Sequence, residues 1–196
     1  MKFRLWAASA SLVLLLAALV GTFFWHPAEH EESPAQGGGF VLNTNQGTLR
    51  LEQLRDKVVI LYFGYTWCPD VCPTSLALLG MALHKLEPRE LAAIQPLFIS
   101  VDPERDTVER LAEYTAYFHP ALKGATGTPQ QIADLARRYG VAYRREVGGS
   151  AADYTVDHSS LTFLLDRQGQ IVEVLPHGTS PDKIVVAVRN ALALQP

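Results

Sequence analysis

One stretch of the chain organises the rest of it: Lys57-Val-Val-Ile-Leu-Tyr-Phe-Gly-Tyr-Thr-Trp-Cys-Pro-Asp-Val-Cys-Pro-Thr-Ser75. It begins with an unbroken run of β-branched and aromatic residues, Val58 to Phe63, which is typical of a strand buried on both faces. A Gly-Tyr-Thr turn and two cysteines follow. Pro73 then suits the first position of a helix. Its apolar residues recur at helical spacing, at Leu76, Leu79, Leu83 and Leu86.

The two cysteines of the chain, Cys68 and Cys72, are therefore expected on a loop between a central strand and a helix N-terminus. Unpaired backbone N–H groups and the helix dipole favour a thiolate at such a position. Three intervening residues still allow the sulfurs to meet within disulfide distance. Two converging thiolates are also the soft donors that Cu(I) prefers. A structural disulfide, a redox dithiol and a metal site all remain open at this point.

The composition narrows the class of protein. With 196 residues, 48% of them hydrophobic, the chain is long enough for one domain and a separate targeting segment. Its net charge of −3 provides no electrostatic footprint for nucleic acid, so no such partner is expected. Two cysteines are too few for a disulfide-rich scaffold or a four-thiolate zinc site.

The N-terminus predicts a single-pass membrane anchor. Lys2 and Arg4 precede Leu5 to Trp25, a run of 21 residues without a charge. As a helix this run spans roughly 31 Å, about the hydrocarbon thickness of a bilayer. A cleaved signal peptide is the alternative, but no clean Ala-x-Ala site follows, and Phe23-Phe24-Trp25 resembles an interfacial anchor. Because positive residues stay inside, the rest of the chain is expected at the cell membrane facing the periplasm or an equivalent extracytoplasmic space.

Three segments follow from these patterns: an anchor at residues 1–25, a flexible linker at 26–38 and a folded domain at 39–196. The domain pattern predicts a β-hairpin, a strand, a helix, a second buried strand, two helices, a second β-hairpin and a last helix. The elements after the central strand are expected at 95–101, from Thr107, from Thr128, at 161–166 with 170–175, and from Ser180. This order suits an α/β, thioredoxin-like fold with an N-terminal β-hairpin.

His158 is the histidine that matters most for the cysteines. It lies in Asp153-Tyr-Thr-Val-Asp-His-Ser-Ser160, a predicted loop before the strand at Leu161. In a thioredoxin topology this junction approaches the cysteine loop, so an imidazole here would complete a Cys2His donor set suited to copper. A loop histidine without a ligand role is the alternative. The histidines at 84, 119 and 177 fit surface or turn positions.

Three motifs together resemble the Sco/SenC family of copper chaperones: Phe63-Gly-Tyr-Thr-Trp-Cys-Pro-Asp-Val-Cys-Pro-Thr74, Val101-Asp-Pro-Glu-Arg-Asp106 and Tyr154-Thr-Val-Asp-His-Ser159. The resemblance implies a thioredoxin-like fold and a site for Cu(I) or Cu(II) formed by Cys68, Cys72 and His158. It also implies a role in assembling the dinuclear copper centre of cytochrome c oxidase, by delivering copper or by reducing the acceptor's cysteines. The implied partners are the copper-accepting oxidase subunit and other copper carriers.

Several residues near these motifs fit two roles. Asp102 and Asp106 match the family's Asp-Pro-x-x-Asp pattern, and they also fit a strand-end turn and a helix cap. Asp70 and Asp157 are candidate hydrogen-bond acceptors for a ligand or for a turn N–H group. The indole of Trp67 would either shield copper from water or pack the loop.

The leading hypothesis is a metallochaperone, because Cu(I) held by two thiolates and an imidazole stays open to an incoming acceptor thiolate. The alternative is an enzyme, a thiol–disulfide oxidoreductase that uses Cys68 and Cys72, with His158 incidental or tuning their pKa. A peroxidase is disfavoured, since nothing here resembles a peroxidatic Thr-x-x-Cys motif. A purely structural disulfide is the remaining option.

Overall fold

The computed structural model describes residues 35–150 and 153–194. The predicted anchor and residues 26–34 of the predicted linker lie outside this range, so the segment limits 1–25, 26–38 and 39–196 stay predictions. In the described part of the chain, no helix is long and apolar enough to cross a membrane.

A five-stranded sheet carries the fold, with a β-hairpin and a two-stranded ribbon beside it. In chain order the strands are β1 (Val41–Thr44), β2 (Gly47–Arg50), β3 (Val58–Gly64), β4 (Ile94–Ser100), β5 (Lys123–Ala125), β6 (Tyr143–Ser150), β7 (Asp153–His158), β8 (Thr162–Leu165) and β9 (Ile171–Leu175). The sheet order is β5-β4-β3-β8-β9, with β3, β4 and β5 parallel and the last two strands antiparallel to their neighbours. Every residue of β3 and β4 is buried, as their continuous apolar runs predict.

Five α-helices and a short 3-10 helix (Leu51–Leu54) complete the described domain. The α-helices are α1 (Val71–Leu83), α2 (Pro88–Ala92), α3 (Val108–Phe118), α4 (Pro129–Arg138) and α5 (Pro181–Ala193). Helix α1 packs against α3 and α5. The spacing of Thr128 and Gln131 is typical of a capping box, and the structure contains one: the Thr128 hydroxyl accepts the Gln131 N–H, and the Gln131 side chain accepts the Thr128 N–H. The two predicted β-hairpins, β1–β2 and β8–β9, are present as well.

The start of α1 differs from the prediction. The helix begins at Val71, so Pro73 is its third residue and not its first. A proline is tolerated there because the first N–H groups of a helix have no partner within it. As a result only Cys68 lies on the loop, and Cys72 belongs to the first turn of α1.

The prediction of a loop at residues 153–160 is wrong. Strand β7 ends at His158 and pairs with β6 in an antiparallel ribbon that forms a sheet of its own. The ribbon is rich in charged residues, and its apolar alternation is limited to Tyr154 and Val156 of β7, which is too short a pattern to reveal two paired strands. Strand β5 and helix α2 also escape the prediction, because three and five residues are too few to show a period.

Candidate metal centre

Three potential metal ligands meet beside the carboxyl end of β3. The Sγ atoms of Cys68 and Cys72 and a ring nitrogen of His158 all lie within 4.8 Å of one another. Cys68 lies on the loop after β3, Cys72 in the first turn of α1, and His158 at the end of β7. Cys72 is buried, whereas Cys68 and His158 are partly exposed. The structure thus brings together the three residues that the sequence pattern selects.

The imidazole of His158 turns its metal-binding nitrogen towards the sulfurs. Its Nδ1 lies 3.1 Å from the carbonyl oxygen of Ser159, which can only accept a hydrogen bond. Nδ1 therefore carries the proton, and in the neutral ring the lone pair of Nε2 points at the Cys72 Sγ, 3.1 Å away. The rings of Tyr62 and Tyr65 pack at right angles to the imidazole and hold its plane.

The partner that orients His158 is therefore a backbone carbonyl and not a carboxylate. Both carboxylates proposed from the sequence, those of Asp70 and Asp157, are exposed, and neither bonds the His158 ring in the described part of the chain. A carbonyl acceptor leaves no trace in the sequence, because every residue carries one. Only the folded backbone shows which carbonyl is used.

The two thiols differ strongly in acidity. A hydrogen bond from the Cys72 thiol is the main effect that lowers the pKa of Cys68 to about 3, with the backbone N–H groups of Asp70 and Cys72 adding to it. One of these is the Cys72 N–H at the start of α1, 3.4 Å from the Cys68 sulfur. The same thiol contact, together with burial, raises the pKa of Cys72. The reduced pair therefore carries one thiolate, on the more exposed sulfur.

Gly64, the last residue of β3, makes room for the buried sulfur. A Cβ atom at this position would lie 2.6 Å from the Cys72 Sγ and 2.9 Å from a ring carbon of Phe98. Such distances are too short for any side chain, so glycine is required where the strand meets the site. The sequence contains a hint of this, since glycine interrupts an otherwise bulky run at the strand end.

Asp106 fixes the cysteine loop in place. Its buried carboxylate accepts hydrogen bonds from the Ser100 hydroxyl at 2.6 Å and from the Thr66 N–H at 2.9 Å. The Thr66 hydroxyl also donates to it at 2.6 Å. Thr66 lies two residues before Cys68, so the loop starts from a fixed point. Asp106 does not cap α3, because Thr107 does.

Asp102 fixes the β6–β7 ribbon in place in the same way. Its fully buried carboxylate accepts a hydrogen bond from the Tyr154 hydroxyl at 2.7 Å and pairs with the guanidinium of Arg105. Tyr154 lies on β7, four residues before His158. The Asp-Pro-x-x-Asp motif therefore holds both segments that supply ligands.

The remaining residues singled out by the sequence lie around the site or away from it. Trp67 is 54% exposed, and its ring carries the Arg110 guanidinium 4.5 Å from the centroid, so the indole packs the loop surface. His84 and His119 contact each other at 4.6 Å between ring centres, and His177 bonds Ser75. In the described residues, these three histidines are not part of a group of metal-ligating side chains.

Solved structures share this fold. The solution structure of apo Sco1 from Thermus thermophilus matches with a TM-score of 0.73 and 38% identity, over 79% of this chain and 91% of that one. The crystal structure of yeast Sco1 with copper bound matches with a TM-score of 0.72 and 36% identity, over 83% of this chain and 92% of that one. These matches confirm the predicted α/β, thioredoxin-like fold.

Sequence comparison leads to the same proteins. The bovine mitochondrial protein SCO2 homolog is 41% identical over 158 residues, which are 80% of this chain and 59% of the bovine one. This chain therefore matches little more than half the length of that relative. The SCO1/SenC family model matches residues 28–193. Since that range covers most of the sequence, the chain belongs to the SCO1/SenC family.

Proposed function

We propose that this chain is a copper-binding metallochaperone of cytochrome c oxidase assembly. Cys68, Cys72 and His158 take up copper and pass it to the oxidase subunit that holds the dinuclear copper centre. The convergence of two sulfurs and one imidazole nitrogen within 4.8 Å is the observation that carries the proposal. Copper bound to the yeast relative supports the choice of metal.

The donor set fits copper as a transferable cargo. Two thiolates suit soft Cu(I), and an added imidazole nitrogen also suits Cu(II). Three ligands leave Cu(I) open to a further thiolate, so the ion can move by ligand exchange without being released. Cys68 is the more exposed sulfur, which makes it the ligand that an acceptor thiolate meets first.

A second function is favoured by the surroundings of Cys68. Its sulfur is partly exposed, and the Cys72 thiol and the Cys72 N–H, 3.4 Å away, lower its pKa. The Cys68 thiolate can attack one sulfur of an acceptor disulfide, releasing the other as a thiolate. The Cys72 thiol then loses its proton and attacks Cys68, which frees the second acceptor sulfur and leaves a Cys68–Cys72 disulfide. Two electrons pass from this protein to the acceptor. A reductase of this kind prepares the acceptor's cysteines for copper.

Copper binding by the purified full-length chain tests the proposal. We expect the reduced chain to bind one copper ion and the disulfide form to bind little, because both states need the same two sulfurs. Bound copper should also protect both cysteines from alkylation. If a chain with a verified Cys68–Cys72 disulfide bound one equivalent of copper, these two cysteines would not be the copper ligands.

The same preparation separates the two functions. A chain that never loads copper in either redox state but reduces a disulfide in a peptide of the acceptor's copper site is a reductase. A chain that loads copper and transfers it to the reduced acceptor domain is a chaperone. Copper-accepting and copper-donating carriers are the partners to use in such transfer experiments.

We further propose that residues 1–25 anchor the chain in the cell membrane as one span, with the domain outside the cytoplasm. The uncharged run from Leu5 to Trp25 and the positive Lys2 and Arg4 before it support this arrangement. A thiol site on that side of the membrane works in an oxidising compartment, where the pair needs a reductant before each loading.

A further inference from the structure

The position of His158 depends on a ribbon that the central sheet does not hold. Strands β6 and β7 pair with each other in a separate two-stranded sheet, and His158 is the last residue of β7. Cys68, in contrast, lies on the loop after β3, and Cys72 lies in α1, so the main domain carries both sulfurs. The distance from the imidazole to the sulfurs is therefore set by whatever fastens the ribbon to the domain.

Side chains on one face of β7 make this connection. Tyr154, Val156 and His158 alternate with exposed residues, so they share a face. Val156 is buried and its N–H donates to the Tyr65 hydroxyl, 3.1 Å away. Tyr65 itself lies on the cysteine loop. His158 reaches the cysteines at one end of this face, and Tyr154 lies about 13 Å away at the other.

Tyr154 is held by three groups at once. Its hydroxyl donates to the buried carboxylate of Asp102 at 2.7 Å. Its carbonyl oxygen accepts a hydrogen bond from Arg105 at 3.0 Å, and the Arg105 guanidinium lies 3.5 Å from the centre of its ring. The guanidinium of Arg145 on β6 lies 4.6 Å from the centre of the Tyr154 ring, and one of its nitrogens lies 3.6 Å from the Asp102 carboxylate. Burial and the bond to Asp102 raise the pKa of Tyr154 to about 12, so its hydroxyl stays a donor at neutral pH.

We propose that Tyr154, clamped by Asp102 and Arg105, is a positioning residue that sets the His158 imidazole against the two sulfurs. The inference rests on the proposed function, since it assumes that the site binds copper. Tyr154 acts only through His158 and touches no ligand atom. Its loss therefore affects the copper states that need the imidazole, and spares those that need only the thiolates.

Loss of Tyr154 should therefore affect Cu(II) binding and Cu(I) binding to different extents. Cu(I) accepts two sulfurs in near-linear geometry, whereas Cu(II) prefers nitrogen and a tetragonal arrangement. Residues that orient a ligand typically change metal affinity by about 10-fold to 100-fold when they are mutated. We expect Tyr154→Phe to weaken Cu(II) binding by about 10-fold, Cu(I) binding by less, and the thiolate-to-Cu(II) charge-transfer band in proportion. Tyr154→Leu, which also removes the ring between the two arginines, should have the larger effect.

Tyr143→Phe is the matched control. Tyr143 lies on the same ribbon, directly opposite His158 in the β6–β7 pairing. Within the described part of the chain, its hydroxyl makes no hydrogen bond. Removing this hydroxyl should leave both copper affinities and the charge-transfer band unchanged. Titrations of the full-length chain against competing Cu(I) and Cu(II) chelators provide the affinities.

A double-mutant cycle with His158→Ala decides whether Tyr154 acts through the imidazole. The proposal requires Tyr154→Phe to have no further effect on Cu(II) affinity once His158 is replaced. An equal loss in both backgrounds would overturn it, since Tyr154 would then act on the site as a whole. Unchanged Cu(II) affinity and colour in Tyr154→Phe and Tyr154→Leu would overturn it as well.

Hydrogen exchange of the metal-free chain tests the clamp without copper. Tyr154→Phe should speed exchange of the Val156 N–H at least several-fold and leave the amides of β3 unchanged, because only the ribbon loosens. If the wild-type chain binds no copper, the proposed function fails. Hydrogen exchange at Val156 still tests whether Tyr154 fastens the ribbon to Asp102 and Arg105. Exchange at Val156 that is identical in both chains would overturn the clamp itself.

Discussion

At the scale of single residues, His158 is the group that adds nitrogen to an otherwise all-sulfur site. Its Nδ1 proton is committed to the Ser159 carbonyl, and its Nε2 lone pair faces the Cys72 sulfur. Such a ring is oriented before any ion arrives. The imidazole should therefore matter most to the oxidation state of copper that prefers nitrogen.

We expect His158→Ala to keep appreciable Cu(I) affinity and to lose most Cu(II) binding, together with its charge-transfer colour. The Cys68–Cys72 disulfide should still form, because neither sulfur is touched. Chelator competition and visible absorption measure these outcomes, and Cys68→Ala serves as the comparison that should lose both copper states. Fully active oxidase in copper-limited cells carrying His158→Ala would rule out the metal site.

The unequal thiols predict an unusual pH dependence of alkylation. With its pKa lowered to about 3, Cys68 should react with iodoacetamide at about pH 5 nearly as fast as at about pH 7. Cys72 is buried and its pKa is raised, so it should stay unmodified. Mass spectrometry of the reduced, copper-free chain identifies the modified residue. A rate at Cys68 that rises about tenfold per pH unit across this range would show an ordinary thiol.

The lowered pKa of Cys68 also makes the folding stability depend on pH. The folded-state pKa of Cys68 lies below the ordinary thiol value of 9.0, so its contribution is fully present above about pH 9 and disappears as the pH falls towards 3. The Cys72 shift has the opposite sign and acts only above the ordinary thiol pKa. The free energy of unfolding of the reduced wild type relative to Cys68→Ser should therefore grow with pH between these values.

Gly64 offers a steric test of the site. In Gly64→Ala the new methyl group would overlap the Cys72 sulfur and the Phe98 ring, so the chain should lose about 1–3 kcal/mol of stability. Copper stoichiometry should fall as the sulfur is displaced. Gly39→Ala is the control, because its methyl group meets only the mobile end of the Glu52 side chain and should cost less than about 0.5 kcal/mol. Equal denaturation midpoints for the two variants would refute the steric requirement.

At the scale of elements, the segment between β4 and α3 joins the two parts of the site. Asp106 bonds the cysteine loop through Thr66, and Asp102 bonds β7 through Tyr154. Both carboxylates are buried, so each needs its partners to offset the loss of water. The segment therefore sets the spacing between the loop and the ribbon.

Thr66→Val removes the hydroxyl from this connection while keeping the shape of the side chain. One Asp106 oxygen then loses its 2.6 Å partner, and we expect a loss of about 1–3 kcal/mol in the free energy of unfolding. Thr48→Val on exposed β2 should change stability by less than about 0.5 kcal/mol. Urea denaturation compares the two. A Thr66→Val variant as stable as Thr48→Val would show that the buried bond contributes nothing.

At the scale of the whole molecule, the predicted membrane anchor is the feature that would decide in which compartment the site operates. We expect the full-length chain to remain in the membrane fraction after carbonate washing, because an uncharged run of this length stays in the bilayer. Protease added from outside the cytoplasmic membrane should remove the domain, and a chain lacking residues 1–25 should appear in the soluble fraction. A mature N-terminus near residue 21 or later would instead show that the run is a cleaved signal.

The sequence by itself determined the parts of this protein that local pattern encodes. The short, largely apolar runs of β3 and β4 predict strands buried on both faces, since they are too short for a typical helix and are rich in β-branched and aromatic residues. The Thr128–Gln131 box predicts where α4 begins, because capping uses neighbouring residues. Cys68, Cys72 and His158 stand out through residue type and motif, and the structure brings them together.

Only the tertiary structure decided how these residues are held. Ribbon β6–β7 shows apolar alternation only at Tyr154 and Val156, too little to predict it. Its bonds to Asp102 and Tyr65 join residues far apart in the chain. The carbonyl that orients His158 and the space that Gly64 leaves for a sulfur depend on the backbone path. Such contacts are decided when buried polar groups find partners across the fold, and no local period records that outcome.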